Sequence, residues 1–283
     1  MKYQLIHQDA AGKIKDSCNH ISFLAFVKHA TFAGINTPFF PLLPFRYLGF
    51  LWEFAPSFSQ SRGFRLVPEL ASDPTETAYI SNRIGRAFAD YFSKKIYGAK
   101  YTHSYECAMA LKGHSISGQR PDFYCDAITG QFAVEAKGFS ALNVSDVRMQ
   151  KYKKQSQTGP LQVHFSVASV SYNLYQSPKI KFYDPVNENI EYDSDLNSRL
   201  RDLYYWSVLE FIEAASHLSN EHEFSDYKTY IIRHPFAPIK KILIHRAIFE
   251  KNWSSNDWLE SLKRNNEESE EFYIDVDGIG LAK

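Results

Sequence analysis

Asp122, Glu135 and Lys137 are residues whose types and spacing suggest chemistry. They fall within RPDFYCDAITGQFAVEAKGFS, Arg120 to Ser140, a stretch that otherwise reads as a buried β-hairpin. Thr129-Gly130 offers a turn centre. A hairpin closed there pairs Phe123 with Ala136, Cys125 with Val134 and Ala127 with Phe132, giving one apolar face. The opposite face then carries Asp122 across from Lys137, with Glu135 two residues earlier on the same side. Directly paired Cβ atoms lie roughly 4.5–5.5 Å apart and diagonal ones roughly 7–8 Å, so the two carboxylates could share one small divalent cation. Mg²⁺ takes oxygen ligands, commonly one or two carboxylates together with substrate phosphate, and Mn²⁺ suits similar donors. Such an ion stabilises phosphate charge and acidifies a bound water. Lys137 could orient that water, deprotonate it if its own pKa is lowered, or stabilise charge building on phosphorus. A one-residue slip would bury the charges and expose Phe123, which favours the stated register. The competing reading is a cross-strand Asp122–Lys137 salt bridge on a solvated face, which contributes about 0–1 kcal/mol and needs no function.

The flanking elements would have to position these groups. Asp73 is a helix N-cap with Pro74 at the first position and Glu76 at the capping-box position. Ile80, Ile84, Phe88, Phe92 and Ile96 recur every four residues up to Gly98, while Arg83, Arg86, Asp90 and Lys94 mark the other face. The strand-like stretches AKYTHSYECAMAL, RPDFYCDA and QFAVEAKGF follow. A helix is expected over about Ser145–Thr158, closed by Gly159-Pro160, and then LQVHFSVASVSY and KIKFY as strands. The order is helix, three strands, helix, strand.

Pro121-Asp122, twelve intervening residues and then Glu135-Ala136-Lys137, set in that order of elements, resemble the PD-(D/E)xK nuclease superfamily, whose fold is restriction-endonuclease-like. The resemblance covers about Asp73 to Tyr172. It implies a three-layer α/β core with a mixed sheet flanked by helices. It also implies a metal held by Asp122, Glu135 and the Ala136 carbonyl, a catalytic Lys137, and hydrolysis of DNA, with RNA as the alternative substrate, leaving a 5′-phosphate. Many members carry a further acid on the first helix. Here IGRAF places Arg86 at that point, so Glu76, Asp90 or Glu106 are the substitutes, unless Arg86 contacts phosphate or a single metal suffices. Lys154 and Gln155 are the pair that the family's second helix would turn toward the phosphate, and Arg148 and Lys151 add basic charge beside them. Arg86 also favours a rival reading, a nucleic-acid-binding subunit with a degenerate site.

The 283 residues carry 32 basic and 32 acidic side chains, which argues against a globally basic binder but leaves room for a local basic groove. Three cysteines without paired spacing, Cys18, Cys107 and Cys125, fit reduced thiols in a cytoplasmic compartment. Neither they nor His103 and His114 form a tight zinc signature, and the hairpin register makes Cys125 a core residue. The first residues are polar and read as no secretory signal. The apolar run Ala30–Phe45 holds three prolines and is too short for a bilayer span, so it reads as buried packing or a partner surface. The chain divides into an aromatic, proline-rich region (residues 1–72), a nuclease-like core (73–184) and a mainly helical extension (185–283). Either extension could mediate self-association or bind a protein partner.

Overall fold

The computed structural model of the chain describes residues 1–35, 43–55, 58–59, 63–64, 72–127, 130–184, 190–215, 221–224, 226–231, 239, 241–253 and 267–283. Strands β1 (Lys2–Gln8) and β2 (Ile14–His20) form a hairpin. They precede helices α1 (Phe23–Phe32) and α2 (Leu43–Phe54) and the short pair β3 (Phe58–Ser59) and β4 (Gly63–Phe64). Of the apolar run, Ala30–Phe32 complete α1 and are buried, and residues 36–42 lie outside the described residues.

Helix α3 (Pro74–Tyr97) has the ends its sequence specifies. The Asp73 carboxylate accepts from the N–H groups of Thr75 and Glu76, and Gly98 closes the helix with φ +66°. Its apolar stripe of Ile80, Ile84, Phe88 and Phe92 is buried against a sheet. That sheet continues with β5 (Tyr101–Ser104), β6 (Phe123–Ala127), β7 (Gly130–Gly138), β8 (Phe165–Tyr172) and β9 (Lys179–Tyr183), in the spatial order β2-β1-β9-β8-β7-β6-β5. Strands β5, β6 and β7 are antiparallel neighbours, whereas β8 runs parallel to β7 after a crossover through helix α5 (Asp146–Ser156). The protein is thus α/β, with a seven-stranded mixed sheet between α3 on one face and α4 (Tyr105–Leu111) and α5 on the other. The strand expected to run through AKYTHSYECAMAL stops at Ser104. Its second half is α4, whose Tyr105, Ala108 and Met109 recur at helical rather than alternating spacing and pack on Tyr124 and Ala133.

The ends of the chain are woven into this core. Strand β1 pairs in parallel with β9, which puts the first residues into the main sheet. Helix α6 (Ser194–Ala215) packs Leu196 and Leu200 against α4, then Tyr204, Tyr205, Val208 and Phe211 into the large core on the α3 side. The last third, expected to be mainly helical, contains α6 and the short α7 (Arg246–Phe249) but also a six-stranded antiparallel sheet. This is built from β10 (Glu221–Phe224), β11 (Tyr227–Ile231), β12 (Lys241–His245), β13 (Glu267–Glu268), β14 (Phe272–Ile274) and β15 (Ile279–Ala282), in the order β10-β11-β12-β15-β14-β13. These strands are two to five residues long, too short for a clear alternation in sequence. Among the described residues no helix is long and apolar enough to cross a membrane.

Charge, surprisingly, fills the joint between these parts. Asp90 and Lys94, which helical periodicity assigns to an exposed face of α3, are buried. Lys94 Nζ lies 2.7 Å from both Asp275 and Asp277, on the turn between β14 and β15, and the fully buried Lys28 of α1 touches the same two carboxylates. Asp90 accepts from Thr102 and is paired with His29, and Tyr204 donates to Asp277 at 2.6 Å. Burial alone would raise the Asp275 carboxyl, but Lys28 and Lys94 overturn that and hold it well below the ordinary range. The network ties α1, α3, α6 and the second sheet together. Replacing Lys94 by Met leaves buried carboxylates under-compensated and should cost about 3–5 kcal/mol in urea unfolding. A loss below about 1 kcal/mol would mean that the joint does not depend on this charge.

Candidate functional site

Asp122 stands at the start of β6, where Pro121 ends the preceding loop. Its N–H donates to the Val134 carbonyl at 2.9 Å, one residue before the Phe123–Val134 pair that opens the ladder, and its Oδ2 accepts from the Ala136 N–H, so Asp122 holds the backbone on either side of Glu135. The expected register is therefore wrong by two residues: Phe123 pairs with Val134 rather than Ala136, and Cys125 with Phe132 rather than Val134. The reason is the hairpin link: Ala127 pairs with Gly130, so the link falls on residues 128 and 129, which are outside the described residues. Gly130 opens β7 with φ +124°, and a Cβ there would sit 2.8 Å from the His164 ring. Close approach, rather than a turn centre, is what requires that glycine. A shift of two leaves every side chain on its expected face. Phe123, Cys125, Phe132, Val134 and Ala136 join the core beneath α3, and Glu135 and Lys137 point the other way.

Helix α3 is seated on the same spot from behind. A Cβ on Gly85 would fall 2.5 Å from the Lys137 carbonyl, and one on Gly138 would collide with the Ser81 backbone. This contact brings Arg86, the next residue of α3, over the Phe123 ring at 4.4 Å and round the end of β6 to Asp122. Asp122 has both oxygens engaged: Oδ1 accepts from Arg86 Nη1 at 2.7 Å, and Oδ2 accepts from the Ala136 N–H at 3.0 Å and from Lys137 Nζ at 3.4 Å. Lys137 Nζ also touches Glu135 Oε1 as an ion pair. Glu135 is 0% exposed, and beyond the Lys137 ion pair on Oε1 its Oε2 has no hydrogen-bond partner among the described residues.

The electrostatics follow from that crowding. Burial, reinforced by the Asp122 charge and opposed by Lys137, pushes Glu135 up to about 7 from an ordinary 4.5. Burial disfavours the Lys137 ammonium, but Asp122 and Glu135 beside it prevail and raise its pKa. Lys137 is thus a cation in this arrangement. The expected lowered pKa that would make it a base does not hold here.

The donor set fits a hard divalent cation. Two carboxylates converge, and strand alternation directs the Ala136 carbonyl to the same side as its N–H, toward Asp122 beyond the end of β6. A buried carboxylate oxygen without a hydrogen-bond partner, as Glu135 Oε2 is, is an expensive feature to keep unless something binds it. A bound ion would have to draw Asp122 away from Arg86 or Lys137, and it would relieve Glu135 of its proton.

In front of Asp122 lies a cleft of about 320 Å³ lined by Arg86, Ser104, Glu106, Gly118, Gln119, Arg120 and Gln155. Of the substitute acids, Glu106 is on α4 rather than a strand and reaches this cleft, where it pairs with Arg120. Glu76 is exposed in the first turn of α3, about 15 Å along the axis from Arg86 at 1.5 Å per residue. Asp90 belongs to the buried network. Of the basic candidates, Arg86 and Gln155 line the cleft, Lys151 and Lys154 are exposed on α5, and Arg148 is stacked on Phe139 at 4.4 Å with its Nε on the Tyr152 hydroxyl. Gln119 and Arg120 belong to the glycine-containing loop SISGQR, which was their available signal, whereas Ser104, at the end of β5, had none.

Among the described residues, His29, Asp90 and Asp275 are the one set of three ligand-type side chains close enough for a shared ion. Lys28 and Lys94 already neutralise those carboxylates, so the set reads as part of the structural joint. The Cys107 thiol is pushed up to about 11 by burial, which disfavours a thiolate nucleophile or ligand.

No protein-family model matches this chain, and neither does any curated protein or solved structure.

A pH dependence follows. With its carboxyl raised in the fold, Glu135 contributes stability that is complete below about 4.5 and lost as pH rises through about 7. Mg²⁺ binding must displace that proton, so calorimetry should show affinity weakening by up to about tenfold per pH unit below 7. Mg²⁺ should raise the melting temperature more at pH 8 than at pH 6, and Glu135→Gln should abolish both effects. A Mg²⁺ response that is flat across this range would contradict the assignment.

Proposed function

We propose that the protein is a metal-dependent nuclease that hydrolyses phosphodiester bonds in DNA on a restriction-endonuclease-like core. One observation carries the reading: Asp122, bonded to the Ala136 N–H, and Glu135 are gathered at one strand end, with Lys137 Nζ touching both. The succession α3, β5, β6, β7, α5, β8, with three antiparallel strands and a crossover to a parallel fourth, supports it. Helix α4 is an insertion between the first two strands of that series.

In this reading Asp122, Glu135 and the Ala136 carbonyl hold Mg²⁺ or Mn²⁺, and the ion supplies Lewis-acid stabilisation and an acidified water. The chain's own groups do the rest. Lys137 is fixed by two carboxylates and offers an ammonium to the charge that builds on the phosphate. Arg86 adds a second fixed cation on the cleft side. Lys151 and Lys154 on α5 supply charge for the flanking backbone.

Arg86 favours a second reading, a nuclease-fold subunit that binds nucleic acid without cutting it. Its guanidinium occupies Asp122 Oδ1, where a further ion would otherwise sit.

Incubation of supercoiled plasmid with Mg²⁺, Mn²⁺ or EDTA separates the two. The nuclease reading predicts metal-dependent nicking or linearisation that drops at least about a hundredfold in Asp122→Ala, Glu135→Gln and Lys137→Ala, each with its melting temperature checked. Binding without cleavage in every condition would support the second reading. Cleavage that survives all three changes would overturn the proposed site.

A further inference from the structure

The cleft in front of Asp122 has a composition that phosphate binding alone does not explain. Arg86 and Arg120 are balanced by Asp122 and Glu106, so its walls carry no net formal charge. Arg120 is turned inward on Glu106 through Nε and Nη2 and on the Gly118 carbonyl through Nη1. What remains at the walls is neutral and hydrogen-bonding: the amides of Gln119 and Gln155 and the hydroxyl of Ser104. Glutamine amides, a carboxylate and a hydroxyl are the groups that read base edges, since each base presents a pattern of donors and acceptors. The volume of about 320 Å³ is at the lower end for a small-ligand site, in the range of a single nucleotide. A base held within the duplex stack does not project into such a recess, whereas a nucleotide swung out of its stack can.

We infer that this cleft is a subsite for one unstacked nucleotide adjoining the bond to be cut, with its phosphate at Arg86 and its base among Gln119, Gln155 and Glu106. The inference rests on the nuclease reading and names its substrate class: single-stranded or locally unpaired nucleic acid rather than intact duplex. Arg86 joins the two sites, because it touches Asp122 and lines the cleft at once. Phe123 beneath its guanidinium and Gly34 beside it, where a Cβ would lie 3.1 Å from Nη2, keep it in place. The loop that carries Gln119 sits between Gly113 and Asp122, and its Gly118 has φ +73°, so backbone conformation sets the direction of Gln119 and Arg120.

The test uses the full chain with Glu135→Gln, so that binding is read without cleavage. A DNA oligonucleotide carrying 2-aminopurine, whose emission rises when the base leaves its stack, is titrated as a single strand, as a duplex with one unpaired 2-aminopurine, and as a blunt perfect duplex. A matched RNA strand tells the two sugars apart. The expected result is at least about tenfold tighter binding of the first two forms than of the perfect duplex, with a rise in emission. The double change Gln119→Ala, Gln155→Ala should remove most of that preference. Equal affinity for perfect duplex and single strand, or a preference untouched by the double change, would overturn the inference. Plasmid cleavage by the wild type would still support the nuclease reading in that case. The selective binding without any wild-type cleavage would keep the cleft and sink the enzyme.

Discussion

Two carboxylates gathered at one strand end repel, and the fold tolerates them only because something positive sits within reach of both. In this protein that role falls to Lys137, assisted on one flank by Arg86. The balance is incomplete. Burial pushes the Glu135 carboxyl up to about 7, and its Oε2 finds no hydrogen-bond partner among the described residues. A core designed for stability alone would place an apolar side chain there, as its neighbours Ala133 and Val134 do. The strain is local and points to a ligand that carries more positive charge than one ammonium.

The rest of the structure keeps that spot rigid. Gly85 and Gly138 let α3 and β7 meet backbone to backbone behind the site, which fixes both the register of Lys137 and the reach of Arg86. Farther along α3, Lys94 anchors the helix to Asp275 and Asp277, residues that lie near the end of the chain. One helix therefore carries the arginine of the site, the packing of the main sheet and the tie to the second sheet. A network of buried charge is a costly way to make such a joint, but it is directional, and direction is what a site built from three elements needs.

Strong local signals made much of this legible in the sequence. The caps of α3 at Asp73 and Gly98, the Ser145 cap of α5, the alternation of β8 and the strand KIKFY are each written in neighbouring residues. The face on which Asp122, Glu135 and Lys137 sit was also readable, because alternation has a period of two and survives the corrected register. The register itself was not, since Thr129-Gly130 reads as a turn centre whereas Gly130 is already a strand residue paired with Ala127. Asp90 and Lys94 looked like solvated charges because their partners lie far away, Lys94 being separated from Asp275 by 181 residues. Helix α4 was hidden because Tyr, Ala and Met in a seven-residue stretch suit either structure. The short strands of the second sheet gave too few residues for a period to show.

The claim on which the functional reading turns is that Asp122 and Glu135 share one cation. Crystals grown with Mn²⁺ and measured for anomalous scattering test it directly. One peak is expected about 2.0–2.3 Å from a carboxylate oxygen of each residue and from the Ala136 carbonyl, with the Lys137 ammonium displaced from between them. An empty site in which Lys137 still bridges the two carboxylates, or a peak only at His29, Asp90 and Asp275, would contradict it.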